Sequence, residues 1–176
     1  KRTIDGHKLR LSCSKYTPYD DNCIPTGELR SVQGTEFDFT ADVMLDERIH
    51  TVIAGGGKLG LDHNWAVDGV EEAESMRKNS LVAPLEAPLL RHVATLSDDI
   101  SGRRLTVHSS QPGVQVYTYN WASEDMKDFP HTVHNAIALE TQHFPNSINT
   151  PSFPSCVLAP GQKYEHKSIY SFSVYR

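Results

Sequence analysis

The stretch of the sequence most suited to proton-transfer chemistry is residues 139–146, Leu-Glu-Thr-Gln-His-Phe-Pro-Asn. If this stretch is an extended strand, Glu140 shares a face with Gln142, while Leu139 and Thr141 lie on the opposite face. A carboxylate at the end of an apolar strand is costly to bury unless it has hydrogen-bond donors or a chemical task. Partial burial would raise its pKa and make it a better proton shuttle near neutral pH. Glu140 is therefore a candidate general base, or else a strand-end side chain that bonds to a neighbouring loop.

A second polar group follows a glycine-rich loop, in residues 60–65, Gly-Leu-Asp-His-Asn-Trp. The carboxylate of Asp62 is suited to accepting hydrogen bonds from two sugar hydroxyls, and Trp65 would supply an apolar surface beside it. The same residues also fit an Asx-rich turn with Trp65 in the core. Asp62 and His63 make a weak metal pair, because no second histidine follows at the spacing that zinc sites use.

A third candidate is an amide between two valines, in residues 111–117, Gln-Pro-Gly-Val-Gln-Val-Tyr. Strand alternation places Gln115 and Tyr117 on the face opposite Val114 and Val116. Gln115 therefore reaches either a polar pocket or solvent.

Other kinds of site find no support in the residue spacing. The three cysteines lack C-x-x-C spacing, which favours reduced thiols in a cytosolic protein over a disulfide framework. No base partner for a nucleophilic Cys156 is evident. The glycine run at residues 55–57 lacks the form of a phosphate-binding loop. We therefore predict neither a metal site nor a nucleotide site.

The candidate residues lie on runs with a period of two, which is typical of strands. The alternating or strand-like runs are residues 8–13, 104–108, 114–119, 136–141 and 168–175. Clusters rich in proline and glycine separate them, as turns would. Residues 70–78 form either a short helix or an exposed insertion. The pattern predicts an all-β fold, a mostly antiparallel β-sandwich or part of one.

Composition excludes two classes of partner. The chain has 176 residues, enough for one domain or a large piece of one. Its net charge of −5, with no lysine or arginine block, argues against a nucleic-acid ligand. Its apolar runs are only a handful of residues long, far short of the roughly 20 that a membrane span needs.

Taken together, these segments resemble the galactose mutarotase (aldose 1-epimerase) family. The matching pieces occur in family order, at residues 16–18, 24–28, 34–39, 61–65, 111–118, 139–146, 151–155 and 158–161. The run around Glu140 is the specific one. The resemblance covers nearly all of the chain but only about the second half of a typical family member. It therefore implies that residues 1–176 are the C-terminal part of a single domain.

The resemblance also implies a fold and an activity. The family fold is a large antiparallel β-sandwich, the supersandwich, with sugar bound in a cleft across it. By motif, Glu140 corresponds to the general base, and Asp62 and Gln115 correspond to residues that bind the sugar. The expected reaction interconverts the α and β anomers of an aldohexose such as galactose or glucose. It requires no metal or organic cofactor, and the expected compartment is the cytoplasm.

The sequence departs from the family pattern at the general acid. The family's acid is a histidine in the first half, and no matching motif occurs in this chain. His63 and His143 are poor substitutes, because both are expected to face away from the candidate site. The missing half is then a second chain, a cleaved segment or a part of the protein outside this sequence. The alternative is a sugar-binding or subunit-forming remnant without catalysis. Half a sandwich would expose a long sheet edge and an open core face.

Overall fold

The structure is a computed structural model that describes residues 3–70, 89–122 and 132–175. Strands dominate these ranges, together with one short α-helix, α1 (Asp46–Ile49), and two 3-10 turns (Gly55–Gly57 and Ser147–Asn149). The strands are β1 (His7–Leu11), β2 (Lys15–Thr17), β3 (Arg30–Ser31), β4 (Val43–Met44), β5 (Asp62–Ala66), β6 (Arg91–Asp98), β7 (Arg103–Ser109), β8 (Gly113–Tyr117), β9 (Ala138–Gln142) and β10 (Ser168–Val174). Most of residues 70–78, expected to form either a short helix or an exposed insertion, lies outside the described residues.

The strands form two antiparallel five-stranded sheets. Sheet A has the order β10-β7-β6-β1-β4, and sheet B has the order β3-β2-β5-β8-β9. Every strand pair is antiparallel, from the long β6–β7 hairpin to the two-residue contact of β1 with β4. The prediction of an all-β antiparallel sandwich is therefore confirmed.

The core lies between the inner faces of the two sheets. Sheet A contributes side chains such as Leu9 and Val107, and sheet B contributes Trp65, Val114 and Val116, all of them completely buried. Because side chains alternate along a strand, each inward residue of sheet B is flanked by residues that point outward. The core therefore fixes which side chains reach the outer face of sheet B.

The inner face of sheet A is open beside strand β10. Among the described strands β10 pairs only with β7, so it forms a sheet edge. Its Phe172 and Val174 are 79% and 67% exposed. Together with Leu96 and Leu105, they line a largely apolar groove. The expected long edge and open core face are both present in the described part of the chain.

No helix within the described ranges is long and apolar enough to cross a bilayer.

Candidate functional site

Strand register aligns four polar side chains across the outer face of sheet B. Thr17 on β2 pairs with Asn64 on β5, Asn64 pairs with Gln115 on β8, and Gln115 pairs with Glu140 on β9. Directly paired residues of antiparallel strands point to the same face. The four residues therefore form one row, which we call the polar row. Asp62 is two residues before Asn64 on β5 and so shares this face.

The polar row forms part of a cavity of about 530 Å³. The cavity contains the three residues singled out from sequence, Asp62, Gln115 and Glu140. Strands β5, β8 and β9 each contribute one of them. The other lining residues are Thr17, Tyr19, Cys23, Pro25, Gly55, Gly56, His63, Asn64, Trp121, Gln142 and Pro145.

A hydrogen bond orients two of the three side chains. Gln115 Nε2 donates to Asp62 Oδ1 at 2.7 Å. Gln115 Oε1 is buried and has no hydrogen-bond partner among the described residues. A buried acceptor without a donor costs free energy that a ligand hydroxyl would recover. The pair thus presents an amide oxygen and a carboxylate, both acceptors for hydroxyl groups.

The backbone ahead of Asp62 is held by a buried polar cluster. The Leu61 N–H donates to Thr118 Oγ1 at 2.7 Å, and Asn120 Nδ2 donates to the Leu61 carbonyl at 2.9 Å. Thr118 Oγ1 also lies 2.8 Å from Asn120 Oδ1. We call Thr118 and Asn120 the polar latch. The latch fixes the chain at Leu61, so the next residue enters β5 at a defined position.

Glu140 is exposed, and the partial burial expected for it is therefore absent. The physical reason is its strand: β9 is at the edge of sheet B, so no further described strand covers that side. Its carboxylate faces the cavity beside Gln115, where it is able to accept a proton from a bound hydroxyl.

His63 is buried on the inner face, as its position beside Asp62 on β5 predicts. It is 4% exposed, its ring stacks on Tyr19 at a centroid distance of 4.8 Å, and its Nδ1 accepts the Asp62 N–H at 3.2 Å. Burial lowers the pKa of His63 to about 4. The imidazole is therefore neutral at pH 7 and unsuited to donate a proton. His143 lines a separate cleft with His166, so it does face away from the cavity.

Of the two positions considered for Trp65, the structure confirms the core position, and the residue supplies no apolar surface in the site. Trp65 is 0% exposed, and its Nε1 donates to the Phe37 carbonyl at 3.0 Å inside the core. Trp121, rather than Trp65, lines the cavity together with Tyr19, and it stacks on Tyr117 with a centroid distance of 6.0 Å. Sequence reasoning missed Trp121. Its position four residues after Tyr117, which was predicted to face outward, could have indicated that it lies on the same side of the sheet.

One of the three cysteines lies at the cavity. All three cysteines are free, with Cys13 buried and Cys23 and Cys156 exposed. Cys23 lines the cavity, a position that the sequence did not indicate. Within the described ranges, no group of three or more His, Cys, Asp or Glu side chains is arranged to hold a metal ion.

Comparisons with known proteins agree on one family. The sequence model described as aldose 1-epimerase matches residues 1–171. Galactose mutarotase from Homo sapiens is 34% identical over 174 residues, a match that covers 97% of this chain and 45% of that protein. Aldose 1-epimerase from Escherichia coli is 27% identical over 173 residues, covering 96% of this chain and 45% of that protein. The chain thus spans about half the length of these curated relatives.

Solved structures share the same fold. An aldose epimerase homologue from C. elegans superposes with a TM-score of 0.74 at 24% identity, covering 99% of this chain and 47% of that chain. Galactose 1-epimerase from Lactobacillus acidophilus superposes with a TM-score of 0.65 at 19% identity, covering 99% and 46% of the two chains. At these identities the likeness concerns the arrangement of the two sheets.

Proposed function

The chain belongs to the aldose 1-epimerase family, and we propose that its cavity binds an aldohexose and helps to interconvert the sugar's α and β anomers. One observation carries the proposal: Asp62, Gln115 and Glu140, predicted separately from three motifs, line one cavity. Galactose and glucose are the candidate substrates. Because the chain spans 45% of its curated relatives, the activity proposed is that of the whole protein.

Each residue has a role that fits its chemistry. Glu140 removes the proton from the C1 hydroxyl while an acid protonates the ring oxygen, so that the C1–O5 bond breaks and an aldehyde forms. Rotation about C1–C2 then presents the other face of the aldehyde. Return of both protons closes the ring on that face. Asp62 and Gln115 accept hydrogen bonds from sugar hydroxyls and hold the ring so that its C1 hydroxyl lies next to Glu140. These steps use no metal or cofactor.

The general acid has to come from elsewhere in the complete fold. His63 is the only histidine among the described residues that line the cavity, and it is neutral and directed into the core. We assign residues 1–176 to the C-terminal part of one domain, with the acid supplied by the N-terminal part. That part is carried by the same polypeptide or by a second chain.

Substituting Glu140 with glutamine tests the proposal directly. Glutamine keeps the size and polarity of the side chain but cannot take up a proton. We expect the catalysed exchange of galactose anomers, followed by polarimetry, to slow by about 10²- to 10⁴-fold. Glu47→Gln is the matched control, because Glu47 is an exposed glutamate in α1, away from the cavity. Full activity of the Glu140→Gln protein would refute the proposed base.

A non-catalytic sugar-binding protein is the alternative that the cavity also favours. The observation behind it is the absence of a charged histidine among the described lining residues. This alternative predicts measurable galactose affinity by calorimetry without any acceleration of anomer exchange. Catalysed exchange above the spontaneous rate would eliminate it.

The open face beside β10 favours a role in assembly. We propose that Phe172, Val174 and the groove next to them pack against the part of the family fold that this chain lacks. Native mass spectrometry checks this: if the missing part is a separate chain, a second polypeptide bound to the 19.7 kDa chain is expected. A lone monomer would count against an assembly role.

The cytoplasmic location expected from the cysteines stays a prediction.

A further inference from the structure

Trp121 is an exposed aromatic residue in a cavity whose other walls are mostly polar. It is 42% exposed, whereas Trp65, the other tryptophan of the chain, is completely buried. A large aromatic side chain gains free energy from burial, so an exposed one at a concave site is suited to packing against a ligand. The cavity itself indicates the kind of ligand.

The indole is held in place by the protein. Its ring is nearly parallel to that of Tyr117, with an interplanar angle of 23° and a centroid distance of 6.0 Å. A Cβ added at Gly56 would lie 3.7 Å from Trp121 Cζ2, so the Gly56 backbone is close to the indole. The preceding residue is the buried Asn120 of the polar latch. These contacts restrict the rotation of the indole, which lowers the entropy that ligand binding would cost.

The arrangement of polar and aromatic groups matches the two sides of a pyranose ring. A hexopyranose carries hydroxyls around its rim and a patch of C–H groups on one face. Asp62 pairs directly with Tyr117 across β5 and β8, so the hydroxyl acceptor and the aromatic stack share one face of sheet B. The cavity therefore offers acceptors for the rim and an aromatic surface for the C–H patch.

We propose that Trp121 is the platform on which the C–H face of the hexopyranose packs, and that it thereby selects closed sugar rings over open polyols. This inference builds on the proposed function and adds the residue that positions the ring. Trp121 acts by positioning the sugar and takes no part in proton transfer.

Tryptophan fluorescence gives a direct test, because the two tryptophans differ so strongly in exposure. Acrylamide should quench Trp121 and leave Trp65 largely unquenched. We expect D-galactose to protect Trp121 from acrylamide, and D-mannitol, an open-chain polyol, to leave the quenching unchanged. The effect should disappear in Trp121→Phe, whose remaining emission comes from Trp65.

Binding and kinetics supply the second readout. Trp121→Ala should weaken galactose binding by about 3- to 10-fold in calorimetry, and Trp121→Phe should restore most of the affinity. The weaker binding should raise KM several-fold while kcat stays within about twofold, which a merely structural role would not produce. Tyr164→Ala, which removes an exposed aromatic residue from a different cleft, is the matched control.

Two results would overturn the inference. One is unchanged quenching of Trp121 by acrylamide in the presence of saturating galactose. The other is a Trp121→Ala protein that binds galactose as tightly as the unsubstituted protein. Polarimetry of Glu140→Gln on the same preparations tests the proposed function separately, so the two failures are distinguishable. An unsubstituted protein that binds no galactose would refute both.

Discussion

Substituting Gly60 with alanine tests how the polar latch positions Asp62. Gly60 has a φ of +124°, and a Cβ added there would collide with Asn120 Oδ1 and lie 2.7 Å from Thr118 Oγ1. Both atoms are too close for any carbon, so the alanine has to displace the latch. Since the latch holds the backbone of Leu61, the displacement should reach the next residue, Asp62.

The size of the effect follows from two contributions. A non-glycine residue held at this φ costs about 1–3 kcal/mol of backbone strain. Disrupting a buried hydrogen bond, such as that from Asn120 to the Leu61 carbonyl, costs about 1–3 kcal/mol more. A combined loss of about 4 kcal/mol should lower Tm by about 8–16 °C in a chain of this size.

Thermal unfolding followed by circular dichroism measures this loss, and Gly34→Ala is the matched control. Gly34 also has a positive φ, of +74°, but a Cβ there would meet nothing within 4 Å, so only the strain applies. Adding Asn120→Ala to Gly60→Ala should cost less than the sum of the single changes, because the two positions are in contact. If Gly60→Ala melts within about 2 °C of Gly34→Ala, the reasoning about the latch is wrong.

Two further predictions concern His63 and the thiols. Burial lowers the pKa of His63 from 6.5 to about 4. As pH falls below about 6.5, His63 is therefore protonated in the unfolded chain before it is protonated in the folded protein, and the free energy of unfolding decreases. Between neutral pH and pH 4.5, the unsubstituted protein should lose about 2.5 kcal/mol more of its free energy of unfolding than His63→Gln, as denaturant unfolding would show. An equal pH dependence in the two proteins would contradict this role of His63. Iodoacetamide should label the exposed Cys23 and Cys156 but not the buried Cys13, whose pKa is raised by burial. Galactose should protect only Cys23, which lines the cavity, as peptide mass spectrometry would show; equal labelling of Cys23 with and without sugar would argue against binding there.

The alternation of side chains made much of the fold predictable. Valines on both sides of Gln115 identified a strand and placed the amide on the outer face, where the structure has it. The same rule decides between the two positions considered for Trp65. Asp62 and Trp65 are three positions apart on one strand, so they point to opposite faces.

Features that depend on distant parts of the chain were not predictable from the local pattern. The alignment of Asn64, Gln115 and Glu140 depends on strand register, which is set by pairing between segments far apart in sequence. The exposure of Glu140 depends on β9 being the edge strand of its sheet. Trp121 lies beyond the end of β8, next to an Asn120 whose partner Leu61 is 59 positions away.

The placement of core and cavity residues on alternate positions of the same strands constrains how such a protein evolves. On β8, Val114 and Val116 pack inward while Gln115 faces the cavity, and β9 repeats the arrangement with Leu139 and Glu140. Point substitutions at the outward positions alter ligand preference with little effect on the core. A one-residue insertion or deletion within either strand would exchange the two faces and destroy core and site together. Ligand specificity in this fold is therefore free to diverge by substitution, whereas the length of these strands is not free to vary.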